Sequence, residues 1–155
     1  VTAAVCQLRP ESRGEVMIAS SDPLEHPKIT PNYLSTEYDR RIMVEGLKMV
    51  RRIAHAPAFA RHVAMEREPG AENVADETLL AYAREKGSTI FHPTSTCRMG
   101  RDNRAVVDSR LRVHGVEGLR VADCSVMPTV VSGNTNAPAV MIGEKCAHMI
   151  LEDAH

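Results

Sequence analysis

The sequence predicts an α+β fold: an antiparallel sheet with covering helices, and a C-terminal strand and helix in a different layer. Three observations carry this. Short, weakly alternating apolar runs open the chain, a strong helical period occupies residues 36–55, and the texture changes after Gly100. Beyond that glycine, brief apolar pairs alternate with charged or glycine-bearing turns before one last helical stretch.

Residues 2–8 read as a strand, and Glu15–Ala19 as a second. Arg9–Gly14 joins them as the loop of a hairpin. Three prolines make 20–32 irregular, with Lys28-Ile29 extended. Thr36 caps the next helix, and Asp39 stands three residues later as an Asp version of the capping box. Ile42, Met43, Leu47, Val50, Ile53 and Ala54 recur at helical spacing. Arg51, Arg52 and His55 suit the negative helix end and read as a solvated face. Pro57 stops the helix or opens a short turn over 58–63. A polar loop covers 66–73. Asn73 or Asp76 caps a second helix, with Leu79, Leu80 and Ala83 inward and Gly87 as its stop. Val106–Asp108 and Leu111–Val113 flank a turn, Leu119–Asp123 is a strand ending in an acid, and residues 139–152 form the final helix.

Composition narrows the function. With 19 basic and 20 acidic residues the formal charge is -1, which gives no electrostatic footprint for nucleic acid. Aromatics are 3% and Trp is absent, so neither a base-stacking platform nor an aromatic cage is expected. Cys6, Cys97, Cys124 and Cys146 form no close pair, which excludes a CxxC site. Free thiols suit a reducing compartment, and the cytoplasm is the expected location. The longest uncharged stretch, residues 124–143, is too polar to cross a bilayer. The chain opens on Val1, without a basic leader, and reads as the inside of a longer protein.

Three blocks are distinctive: FHPTSTCRMG at 91–100, AVVDSRLRVHGVEGLRVADCSVMP at 105–128, and SGNTNAPAVMIGEKCAHMI at 132–150. In this order they resemble the C-terminal blocks of the glucose-methanol-choline (GMC) oxidoreductases, flavoproteins that use FAD to oxidise alcohols. VCQLRPESRG and PKITPNYLS resemble the preceding substrate region more loosely. The resemblance implies that residues 1–104 are the substrate-binding region with the catalytic histidine segment. Residues 105–155 would then be a return segment completing the FAD-binding domain. The glycine-rich G-x-G-x-x-G motif of such proteins does not occur here, so the dinucleotide-binding part is expected in cis or as a second chain.

His92 lies in a His-Pro turn, with Ser95 and Thr96 as hydroxyl partners for its ring. Taken alone, such a histidine is structural; the resemblance makes it the catalytic base of alcohol oxidation. Asn136, 44 positions on, matches a family position held by His or Asn. Its amide would hold the developing alkoxide without competing for the proton. Asn134 takes that role if the register differs by two. The resemblance places the start of the final helix, with Asn134, Thr135, Ala137 and Pro138, at the flavin's pyrimidine edge. There the positive helix end would stabilise the reduced ring. The segment around Asp123 and Cys124 would pass the ribityl and phosphate portion. Asp123 would orient backbone donors or accept from a ribityl hydroxyl, and the Cys124 backbone would donate. No metal site is expected, and a small alcohol is the implied substrate. The alternatives are a non-catalytic binding or structural module derived from such an enzyme, or one subunit of a split flavoenzyme.

Overall fold

The computed structural model describes residues 1–154, which divide into a first unit, Val1–Thr89, and a second that begins at Ile90. The first unit holds two short strands, β1 (Glu15–Met17) and β2 (Lys28–Thr30). They pair antiparallel, with Glu15 opposite Thr30 and Met17 opposite Lys28. Gly14 is required at the edge of this pair. A Cβ there would stand 2.2 Å from the Thr30 carbonyl oxygen, a distance that backbone cannot yield.

The hairpin expected between 2–8 and 15–19 does not form. Residues 2–8 run without regular structure, and β1 takes β2 as its partner instead. The reason lies in helix α1 (Glu37–Ala54). Asp39, 2% exposed, accepts from the backbone N–H of Glu11 at 3.0 Å and of Ser12 at 2.7 Å. A carboxylate therefore satisfies donors that a strand partner would otherwise have to satisfy. At the other end of the segment, Val5 packs at Gly46 of α1, where an added Cβ would lie 2.4 Å from the valine Cγ1.

Thr36 does cap α1, its Oγ1 accepting from the Asp39 N–H at 3.2 Å. The rest of the expected capping box is absent, because the Asp39 carboxylate is turned to residues 11 and 12. Helix α2 (Pro57–Ala60) and helix α3 (Asp76–Lys86) both pack on α1, and Val44, Leu79 and Ala83 are buried. The strands have no such cover. All six of their residues are exposed, so the expected helix-covered sheet gives way to a helix cluster beside a bare two-stranded ribbon.

Two polar expectations in this unit also change. Ala75, rather than Asn73 or Asp76, is the N-cap of α3. Asn73 donates to the Pro69 carbonyl, and Asp76 pairs with Lys48 at 2.7 Å. Arg51 is no solvated dipole partner. Its guanidinium grips Glu66 at 2.7 Å and donates to the Gly70 carbonyl at 2.8 Å, tying the polar 66–73 loop to α1. A planar five-donor head meets that many acceptors where an ammonium would not.

The second unit is built on extended segments that exchange single hydrogen bonds. Cys97 N–H donates to the Ser125 carbonyl at 3.0 Å, Met99 N–H to Val126 at 2.9 Å, and Val106 N–H to Arg98 at 2.9 Å. The expected 106–113 hairpin is present as one bridge, Val107 to Val113, and the 119–123 strand as another, Arg112 to Arg120. Left-handed residues at Leu111, Gly115 and Gly118 bend the chain before either ladder can lengthen. A 3-10 turn, Cys124–Val126, follows, and helix α4 runs from Asn136 to Asp153. Val107, Leu111, Val126, Met127, Ile142 and Cys146 close one core beneath them.

Asp39 gives a direct test of the first unit. Burial pushes its carboxyl pKa up, but donation from the Ser12 hydroxyl and from the Glu11 and Ser12 backbone prevails, and the value lies below the ordinary one. A depressed native pKa stabilises the fold above the unfolded value, near 3.9, and that support fades as pH falls through the native value. Asp39→Ala should cost about 3 kcal/mol, since it orphans charge-assisted donors. Denaturation midpoints should show the parent–variant gap narrowing below about pH 4, and hydrogen exchange should quicken at Glu11 and Ser12.

Candidate functional site: a histidine held by a helix start

The segment carrying His92 is set by backbone geometry on either side. Phe91 has φ 61° and Ser95 φ 74°, both left-handed. For a bulky residue such as Phe this is a costly conformation, kept only where the surroundings impose it. Downstream, the bonds from Cys97 and Met99 to residues 125 and 126 anchor the segment to the core.

The ring of His92 is half-buried, and its Nδ1 lies 2.9 Å from the Oγ1 of Thr135. The Thr135 N–H also points to Nδ1, at 3.5 Å. Thr135 is 6% exposed, one of two buried polar or charged residues among those described. Its carbonyl accepts from the Ala139 N–H at 2.9 Å and from the Cys124 thiol at 3.6 Å. One residue thus joins the histidine segment, the 124–126 turn and the first turn of α4. Ser95 and Thr96 are not the ring's partners as expected; the Ser95 hydroxyl pairs with that of Thr94 at 3.1 Å.

Thr135 is the N-cap of α4, yet its side chain makes no capping bond. Its hydroxyl serves the imidazole instead, which leaves the first-turn N–H groups of α4 uncapped. Pro138 falls within that turn, where its missing N–H costs nothing. Asn136 and Ala137 open the helix and are exposed, as is Asn134 just before the cap. Among the described residues, neither amide bonds to another side chain.

At the 124–126 turn the Asp123 carboxylate accepts from the Ser125 N–H at 2.7 Å and is otherwise exposed. It acts as the cap of that turn. The Ser125 Oγ is buried without a hydrogen-bond partner. A polar atom left so, beside Asp123 and Cys124, fits a segment completed by a polar group from outside the chain.

The far end of α4 is fixed separately. Arg110 donates to the Met149 carbonyl at 3.0 Å and pairs with Glu152 and Asp153, while Arg120 pairs with Asp153. The Arg110 bond holds Glu152 below its ordinary pKa, and the Arg120 bond does the same for Asp153. All four cysteines are free thiols. Among the described residues no group of three or more His, Cys, Asp or Glu side chains is placed to hold a metal, and no helix is long and apolar enough to cross a membrane.

A family model described as "GMC oxidoreductase" matches residues 10–143. The chain belongs to the GMC oxidoreductase family. It corresponds to a C-terminal portion of the family's FAD-dependent members. It is 44% identical over 150 residues to an alcohol dehydrogenase (acceptor) of Pseudomonas putida, covering 97% of this chain and 27% of that protein. It is 47% identical over 146 residues to an oxygen-dependent choline dehydrogenase of Escherichia coli O45:K1, covering 94% of this chain and 26% of the other. Among solved structures it is similar to a fungal aryl-alcohol oxidase, with TM-score 0.83 and 35% identity over 94% of this chain and 24% of the other. An FAD-dependent oxidoreductase from Chaetomium thermophilum gives TM-score 0.89 and 33% identity over 95% of this chain and 26% of its own. The GMC chain described here therefore spans about a quarter of the length of the relatives it matches.

The arginine clamp can be tested without any cofactor. Arg110→Met keeps the apolar stem and removes the donors. Amide exchange in residues 150–153 should accelerate while Ile142 and Cys146, deeper in α4, keep their protection. Equal acceleration along the whole helix would show that α4 does not depend on this clamp at its end.

Proposed function

We propose that this chain is a module of a larger GMC flavoenzyme that oxidises an alcohol. Joined to an FAD-binding portion, in cis or as a second chain, it supplies the group that takes the substrate proton. Alone it is a non-catalytic module, a reading favoured by its covering only about a quarter of its relatives. Residues 1–104 would contribute to the substrate side and residues 105–155 to the cofactor side.

The observation that carries this is the orientation of His92. The fold engages the ring through Nδ1, which leaves Nε2 as the nitrogen available to a substrate. An imidazole takes and returns a proton near neutral pH, which a weakly acidic alcohol requires. FAD, when bound, supplies the hydride acceptor. His92 removes the hydroxyl proton, and the partial charge left on oxygen is met by an amide of the 134–136 turn. The family resemblance supports Asn136 as that amide, with a 44-residue spacing from His92 that fits; Asn134 flanks Thr135 on its other side. The uncapped start of α4 at Thr135, Ala137 and Pro138 would face the electron-rich edge of the cofactor. The Asp123–Cys124 turn, with the unpartnered Ser125 hydroxyl, would line its polar tail. The alcohol dehydrogenase, choline dehydrogenase and aryl-alcohol oxidase similarities support an alcohol as substrate class.

Three measurements test the reading. The 155-residue chain alone should leave added FAD fluorescence unchanged, because the glycine-rich phosphate site is not among its residues. In the complete flavoenzyme, His92→Ala should keep its flavin and slow anaerobic reduction by alcohol roughly 10²- to 10⁴-fold. Asn136→Ala should slow it by about a hundredfold, the scale of one lost oxyanion donor. Asn134→Ala serves as the register control. A large loss there with a silent Asn136→Ala moves the amide role to Asn134, and parent-like reduction in His92→Ala removes the base role.

A further inference from the structure

We infer that Thr135 is a positioning residue for His92: its hydroxyl accepts a hydrogen bond from Nδ1–H and so holds the ring in the tautomer whose outward Nε2 carries the lone pair. This deepens the proposed function and rests on His92 being the base.

The argument starts from the inventory of the two groups. A neutral imidazole has one N–H and one bare nitrogen, and which is which depends on the partner of the engaged side. The partner here is a hydroxyl, able to donate or accept, at 2.9 Å from Nδ1. The second contact to Nδ1, from the Thr135 N–H, is 3.5 Å, at the outer edge of hydrogen-bond range. That N–H is a donor aimed at Nδ1 and alone would favour a bare Nδ1. At this length it is weak, while the hydroxyl at 2.9 Å can take either direction, and the base role of His92 selects the one in which it accepts. If it donated, Nε2 would carry the hydrogen and could not take a proton from an alcohol. If it accepts, Nε2 is bare. When the substrate O–H bond breaks and an N–H bond forms at Nε2, the resulting imidazolium still has its Nδ1–H donated to Oγ1. No second proton has to move.

Three features of Thr135 suit it to this task rather than to helix capping. It is 6% exposed, so water does not compete for its hydroxyl. Its carbonyl is occupied by the Ala139 N–H and the Cys124 thiol, so the backbone is fixed from two directions. Its side chain makes no bond to the first turn of α4, although it stands at the N-cap, where Thr ordinarily makes one. A capping hydroxyl has been diverted to an imidazole.

The experiment compares Thr135→Val, which keeps the branched shape and removes the hydroxyl, with Thr135→Ser, which keeps the hydroxyl. Both are made in the complete enzyme with FAD bound. Two readouts are taken: the ¹⁵N shifts of the His92 ring nitrogens, and the rate of anaerobic flavin reduction by alcohol. The parent and Thr135→Ser should show a protonated Nδ1 and bare Nε2. Thr135→Val should show mixed tautomers and reduce its flavin roughly tenfold or more slowly. A protonated Nε2 in the resting parent overturns the inference, and so does a Thr135→Val enzyme with parent-like ring shifts and rate. A valine variant that fails to fold leaves the parent's ring shifts as the deciding measurement. His92→Ala separates the two levels. If it is slow while Thr135→Val matches the parent, the base reading stands and the role of Thr135 falls. If His92→Ala reduces its flavin at the parent rate, the base reading falls and this inference falls with it.

Discussion

The candidate site in the second unit depends on one hydrogen bond between side chains 43 positions apart, His92 to Thr135. Neither residue could be held so firmly by its own segment. The stretch around His92 has no regular structure and carries two left-handed residues. Thr135 precedes a helix by one position and belongs to a loop rich in Gly, Asn and Pro. Their contact converts two loops into a defined corner. The surrounding bonds are the supports of that corner: Cys97 and Met99 to residues 125 and 126, Cys124 to Thr135, and Ala139 to Thr135. The conserved quantity in such an arrangement is the direction of an imidazole, which is what proton transfer needs.

Local signals in the sequence were read well where the signal was itself local. The Thr36 cap and the apolar period place α1 to within a residue or two, whereas α4 begins at Asn136, three residues before the expected start at 139, because Pro138 lies inside its first turn. Long-range polar contacts left no such trace. Asp39 sits where a capping box expects an acid, yet its carboxylate serves the backbone of residues 11 and 12, 27 and 28 positions earlier. Arg51 sits where the helix dipole favours a cation, yet its head holds a loop 15 to 22 positions later. In both cases the residue type agreed with a local rule and a distant partner claimed it. The same happened at the site. Ser95 and Thr96 are hydroxyls close to His92 in sequence, yet a threonine from another loop is the one that meets the ring.

The strands show the complementary failure. Reading 2–8 and 15–19 as strands is a statement about faces, and a face needs something to pack against. β1 and β2 expose Val16, Met17 and Ile29. On α4, Val140, Met141 and Leu151 are likewise exposed. Apolar side chains in these numbers suit a module that is covered by further chain, and they accord with the proposal of a larger flavoenzyme. The small cores, Val44 with Leu79 and Ala83 in one unit and six residues around Val107 and Val126 in the other, point the same way.

Helix phase explains why residue spacing leaves two candidates for the amide. The resemblance favours Asn136 and the distance from His92 agrees, but a count measures chain length, and loops absorb length without moving their ends. Direction is what matters at the substrate oxygen. Thr135 stands between the two asparagines and turns its hydroxyl to the ring. Asn136 is the first residue of α4, so its side chain leaves the axis about 100° around from the position before it. Asn134 lies outside the helix and takes its direction from the Gly133 turn instead. The two amides therefore leave Thr135 along different paths, one governed by helical geometry and one by the loop. On the proposed function, either amide starts from a direct neighbour of Thr135, the buried residue whose hydroxyl meets the His92 ring.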